Sequence, residues 1–184
     1  MLEQLLVEHC SPTMAGLKTG NLFNCPLADR KELAEHIRRL NTHLSPRGVR
    51  ILPLKYGKDK VLIYMYRPDR LQEDLNDQMA AAILSEKSYP TENVNRCLVE
   101  LIRRLNHDEN FPHEIGLFLG YPSEDVHCFI KKGARQAKCV GTWKVYGDEE
   151  SAKRKFAQYK KCTRVYCDAF RKNHSFDRLV VSCS

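Results

Sequence analysis

The chain has 184 residues, 42% hydrophobic and 29% charged, a balance that supports a packed core and excludes a disordered or low-complexity chain. Its longest apolar run, Val61 to Tyr66, falls far short of the roughly 20 residues that cross a bilayer, and the first ten residues lack the basic start and long apolar centre of a secretory signal. Thirty Lys and Arg against 23 Asp and Glu leave a net charge of +7, which favours an acidic partner.

A chain of this length can bury one sizeable core, so residues 1–184 are expected to form a single α/β domain. The eight cysteines stand at irregular positions, 10, 25, 97, 128, 139, 162, 167 and 183. With helix and strand patterns throughout, that spacing reads as reduced thiols in a cytoplasmic protein rather than as a disulfide framework.

In chain order, Gly16 to Phe23 is a weakly alternating stretch that can serve as a first strand. Asp29 with Glu32 forms a capping-box pattern, and Leu33, Ile37, Leu40 and Leu44 then recur at helical spacing, predicting an amphipathic helix over Arg30 to Thr42. Val49 to Leu54 and Val61 to Tyr66 read as an antiparallel hairpin around Tyr56 to Lys60, the second strand apolar enough to lie inside a sheet. Pro68 opens a helix with Leu71, Leu75, Met79 and Ile83 inward, and Thr91 caps another carrying Val94, Leu98, Leu101 and Leu105.

Glu114 to Gly120 reads as a second buried strand, followed by a helix opening near Pro122 with Glu124 and Asp125 in its first turn. Cys139 to Tyr146 alternates like a strand and completes a βαβ unit. A long helix begins near Asp148 and presents Ala152, Phe156, Tyr159, Thr163, Tyr166 and Phe170 to the core, and Leu179 to Val181 suits a short last strand. The sum is an α/β or α+β fold, a mixed sheet of five or six strands with helices on its faces.

Four segments together carry a family resemblance: His9 to Lys18, Glu114 to Pro122 with Asp125-Val126, Gly141 to Tyr146, and Tyr159 to Thr163. Over essentially its whole length the chain resembles a family of small proteins from anaerobic bacteria known only as a domain of unknown function (number 3793). The resemblance implies an anaerobe's cytoplasm and an association with flavodoxin and iron-uptake genes. It supplies no activity, substrate or site residue.

Cys10 lies between His9 and Ser11-Pro12, with Lys18 downstream. A thiol nucleophile needs a base or cation to lower its pKa, and His9 and Lys18 are the neighbours that can do so; His113 is a further base for such a mechanism. These residues make a thiol-dependent or redox-linked protein the leading reading, weighed against a small buried cysteine at an element boundary.

The turn at Gly120-Tyr121-Pro122 precedes a helix N-terminus, where a phosphate or carboxylate can bind, or it is a structural turn. If Glu114 to Gly120 is a strand, about seven residues at roughly 3.3 Å each hold His113 and Tyr121 some 20 Å apart, too far for one small site. No metal centre is expected: paired cysteines at ligand spacing are missing, and Cys162 and Cys167 would stand about 140° apart on a helix. No cofactor is indicated.

Lys153, Arg154, Lys160, Lys161 and Arg164 lie largely opposite the aromatic stripe of the last helix, a basic face that is either merely solvated or docks an acidic partner such as a flavodoxin. Nucleic acid is the weaker partner, because the aromatics sit at core spacing and are not interleaved for base stacking.

Overall fold

The computed structural model describes residues 1–173 and 176–182. In chain order they form α1 (Leu2–Met14), β1 (Gly20–Pro26), α2 (Arg30–Leu44), a 3-10 turn, β2 (Arg50–Tyr56), β3 (Lys60–Tyr66), α3 (Pro68–Asn76) and α4 (Gln78–Glu86). There follow α5 (Val94–His107), α6 (Ile115–Phe118), α7 (Ser123–Lys132), β4 (Cys139–Val140), β5 (Lys144–Val145), α8 (Glu149–Asn173) and a 3-10 turn at Asp177–Leu179. The chain divides into two compact units, one built from Met1–Asp69 with the chain from Tyr159 onward, the other from Arg70–Gln158.

The first unit is organised by an antiparallel sheet of order β1-β3-β2. The apolar run Val61 to Tyr66 takes the centre, paired with β1 from Gly20↔Tyr66 to Pro26↔Lys60 and with β2 from Arg50↔Tyr66 to Tyr56↔Val61. The hairpin expected around Tyr56 to Lys60 is therefore present. Leu6, Val7, Cys10 and Met14 of α1 pack into one core with Ile37, Leu40 and Leu44 of α2 and with Phe23, Ile63 and Met65 of the sheet. Arg67, one residue past β3 and 1% exposed, donates from Nε to the Thr13 carbonyl at 2.7 Å and from Nη2 to the carbonyls of Met14 and Val181 at 2.7 and 2.8 Å.

The second unit is helical apart from the β4–β5 hairpin. Its helices bury Leu71, Leu75, Leu84, Leu98, Leu101, Leu105 and Phe118. Asp77 caps α4 by accepting from Ala80 N at 3.0 Å, so the helix restarts there and Met79 turns out to solvent instead of inward. Asn93, not Thr91, caps α5, accepting from Arg96 N at 3.0 Å.

The sheet of five or six strands is corrected to three strands plus a two-stranded hairpin, and the βαβ unit is absent. The overturned strand is Glu114 to Gly120. A short continuous apolar run fits a buried helical turn as well as a buried strand, and here glycine decides. Gly120 sits at φ +71, Tyr121 N bonds back to the Gly116 carbonyl at 3.0 Å, and Gly120 N to that of Leu117 at 3.1 Å. That is a left-handed helix stop, which closes α6 after one turn.

Cys139 to Tyr146 likewise folds back on itself: Gly141, Thr142 and Trp143 form a turn between β4 and β5, whose pairing Val140↔Lys144 is antiparallel. Leu179 belongs to a 3-10 turn, and Val181 N donates to the Met14 carbonyl at 3.0 Å rather than joining a strand.

Candidate functional site

The His9 to Lys18 segment is the C-terminal half of α1 and its exit turn. Cys10 is 0% exposed, at the same helical spacing as Leu2, Leu6 and Met14. Burial pushes its thiol well above the usual range; the buried Lys18 ammonium pulls the other way and loses. Lys18 Nζ donates to the Gly20 carbonyl. His9 is exposed and stacks on Phe23, ring centroids 5.2 Å apart. Lys18 is thus near enough to act on Cys10, but the sulfur has no opening to solvent. Among the described residues the cysteines are free, and Cys183 lies outside them.

A cavity of about 380 Å³ opens in the second unit, within the size range of small-molecule sites, ~300–1,000 Å³. Five rings line it: Phe111 and His113 before α6, Tyr121 after it, Phe129 on α7 and Trp143 in the hairpin turn. His113 meets Phe129 edge-on with centroids 5.0 Å apart, and Tyr121 lies 5.1 Å from Trp143, which is 4.6 Å from Phe156. Phe111 and Val140, 53% and 69% exposed, stand at the mouth.

The helical turn is what brings His113 and Tyr121 to one cavity. At about 1.5 Å of rise per residue α6 carries the chain a few ångströms where a strand would carry it some 20 Å. Gly116 makes room on its face, since a Cβ there would sit 2.8 Å from Val126 Cγ2 and 3.1 Å from the Tyr121 ring. The chain just after His113 is braced by the buried Glu114, which accepts from Tyr89 Oη at 2.9 Å and has Lys87 Nζ and Arg104 Nη1 at 3.5 and 3.6 Å.

The hairpin wall is fastened to α7 by Asp125, 4% exposed in the helix's first turn. Its Oδ2 accepts from Trp143 Nε1 at 2.7 Å, and its Oδ1 from the backbone N–H of Tyr146 and of Gly147, both at 2.8 Å. Lys144, the first residue of β5, places its ammonium 5.3 Å over the Phe129 ring. Aromatic planes, a charged amine and an imidazole therefore share one concave surface, which suits recognition of a ring-shaped ligand.

Gly120, named with Tyr121 as a ligand-binding candidate, does not line this cavity. It borders a separate polar hollow of about 350 Å³ with Tyr121, Asp77 and Glu73. Lys153, Arg154, Lys160, Lys161 and Arg164 are all exposed on α8, within roughly 120° of its circumference at 100° per residue. Lys153 is partly neutralised by Glu149 at 2.8 Å and Glu150 at 3.9 Å. The other four make no ion pair among the described residues.

Phe111, Phe129, Trp143 and Lys144 escape the sequence reading. Phe129 follows Cys128 in a helix read for its charge, and Trp143 and Lys144 were placed in one straight strand. The available signal was Gly141: a glycine inside a run of alternating residues marks a break, and Trp143 is the chain's single tryptophan.

No group of three or more metal-ligating side chains occurs among the described residues, and no helix there is long and apolar enough to cross a membrane. A family model described as a protein of unknown function (DUF3793) matches residues 6–180, and the chain belongs to that family. No curated protein and no solved structure matches it.

Proposed function

We propose that this family member is a small-molecule binding protein that takes a planar, ring-containing ligand between Phe129, Tyr121 and Trp143. The observation that carries this reading is a cavity of about 380 Å³ lined by five rings, one of which, Phe111, stands exposed at its mouth beside Val140. Apolar surface at the edge of a concave site is costly to leave in water and is covered when a ligand enters. Ring faces contribute stacking energy beyond burial, about 0.5–1.5 kcal/mol per pair. The thiol reading is not supported by Cys10, whose sulfur is enclosed in a core.

Trp143 is the only tryptophan and lies in the wall, so its emission reads occupancy directly. Titration with naphthalene-2-carboxamide, a neutral planar probe, is expected to change that emission saturably, and Phe129→Ala to weaken the probe's binding by roughly tenfold. Emission that never saturates, or an affinity indifferent to Phe129→Ala, removes this reading.

A second reading is supported by the stripe on α8. Lys160, Lys161 and Arg164, all in the first unit, present three cations on one helix face with no ion pair among the described residues, a surface suited to an acidic protein. Its test is the salt dependence of capture: an acidic partner retained at low salt should be lost at high salt and by charge reversal at Lys160 and Lys161. Retention indifferent to both discards it.

A further inference from the structure

The cavity's charged groups are unevenly used. Besides the Tyr121 phenol, three ionisable side chains line it: His113, Asp125 and Lys144. Asp125 is fully engaged, both oxygens taken by the three N–H donors of Trp143, Tyr146 and Gly147. Lys144 is half-buried, and its ammonium has no carboxylate within 4 Å among the described residues. Its neighbour Val145 is 0% exposed, so strand alternation sets Lys144 on the opposite, cavity-lining face of the hairpin.

A cation drawn partly out of water against hydrocarbon is costly unless something compensates. The Phe129 face supplies part of that compensation through its quadrupole. An anion would supply the rest, and the apolar wall would strengthen the pairing by lowering the local dielectric. His113 adds ring nitrogens and no negative charge. A cationic guest, which aromatic cages otherwise suit, meets Lys144 with like charge and finds Asp125 already committed.

Resting on the cavity reading, we propose that the ligand is a planar aromatic acid whose oxyanion pairs with Lys144 while its ring lies among Phe129, Tyr121 and Trp143. Lys144 is then the residue that sets charge specificity, and the rings set shape.

The test compares naphthalene-2-carboxylate with its isosteric carboxamide by Trp143 emission, in the full chain and in Lys144→Met and Lys144→Arg. The wild type should bind the carboxylate roughly tenfold more tightly than the amide, a preference expected of one charge-assisted contact. Lys144→Met should erase the preference, so that the two probes bind alike, Lys144→Arg should keep it, and added salt should shrink it. Equal affinity for the two probes in the wild type, or a preference that survives Lys144→Met, overturns the assignment of Lys144 while the cavity reading stands. Binding of neither probe overturns both.

Discussion

The Asp125 carboxylate holds the indole N–H of Trp143 at 2.7 Å across 18 residues of chain, and through Tyr146 N and Gly147 N it holds the far end of the same hairpin. One side chain thereby fixes both the orientation of an aromatic wall and the position of β5.

Asp125→Ala leaves three donors without their acceptor, two of them on residues that are nearly buried. Stability should fall by about 2–4 kcal/mol, and Trp143 emission should shift to the red as the indole is released to water. Asp125→Asn should be almost as harmful, because an amide nitrogen facing the Trp143 N–H sets donor against donor. Urea unfolding followed by tryptophan emission and by far-ultraviolet dichroism checks both.

Cys10 should resist alkylation in the folded protein at pH values where Cys128 and Cys139, both partly exposed, react. Mass mapping after iodoacetamide treatment reads this directly. Rapid modification of Cys10 in native protein would show that α1 opens and would restore a reactive thiol to consideration.

Alkaline pH should destabilise the first unit. Cys10 and Cys162 are held above the ordinary thiol value of 9.0 by burial, Cys162 at about 11. A folded-state pKa raised above the unfolded value means the native state binds the proton more tightly. That contribution is whole below pH 9.0 and is lost as pH rises from there toward 11. Denaturation midpoints should therefore be flat across neutral pH and fall above 9, and Cys162→Ala should flatten the decline.

Arg67→Lys should cost about 2–3 kcal/mol, nearly as much as Arg67→Met. The planar guanidinium reaches the carbonyls of Thr13, Met14 and Val181 from Nε and Nη2 together, a fork that a lysine ammonium cannot reproduce. Thermal unfolding of the two variants beside wild type distinguishes loss of the fork from loss of charge alone.

Gly120→Ala should cost about 1 kcal/mol, since φ +71 is strained for any residue with a Cβ. It should also weaken probe binding, because the stop at Gly120 is what returns the chain to place Tyr121 on the cavity. An affinity unchanged in a destabilised protein would show that Tyr121 reaches its place without that stop.

Legibility in the sequence was uneven for physical reasons. The Asp29 cap, the Val61 to Tyr66 run and the periodicity of the last helix were readable because capping, a two-sided apolar strand and helical repetition each leave a local mark. Helix α1 left a poor one: Ser11, Pro12 and Thr13 are buried near its end, so polar and helix-breaking residues occupy core positions. Glu114 to Gly120 was ambiguous by nature, and choosing strand over helix separated His113 from Tyr121. That single misreading hid the cavity, although two of the segments behind the family resemblance, Glu114 to Pro122 and Gly141 to Tyr146, supply much of its wall. Lys144 and Phe129 became neighbours only through the hairpin, for which Gly141 was the one local mark.

The first unit is assembled from the opening 69 residues and from chain that begins at Tyr159, with the whole second unit spliced between. During translation its three strands leave the ribosome long before the residues that complete it, and the Val181 carbonyl meets Arg67 only after the whole intervening unit has emerged. A nascent chain stalled before residue 159 therefore lacks Phe176 and Val180 from that core, and the apolar side chains they pack against stay uncovered until the later segment arrives.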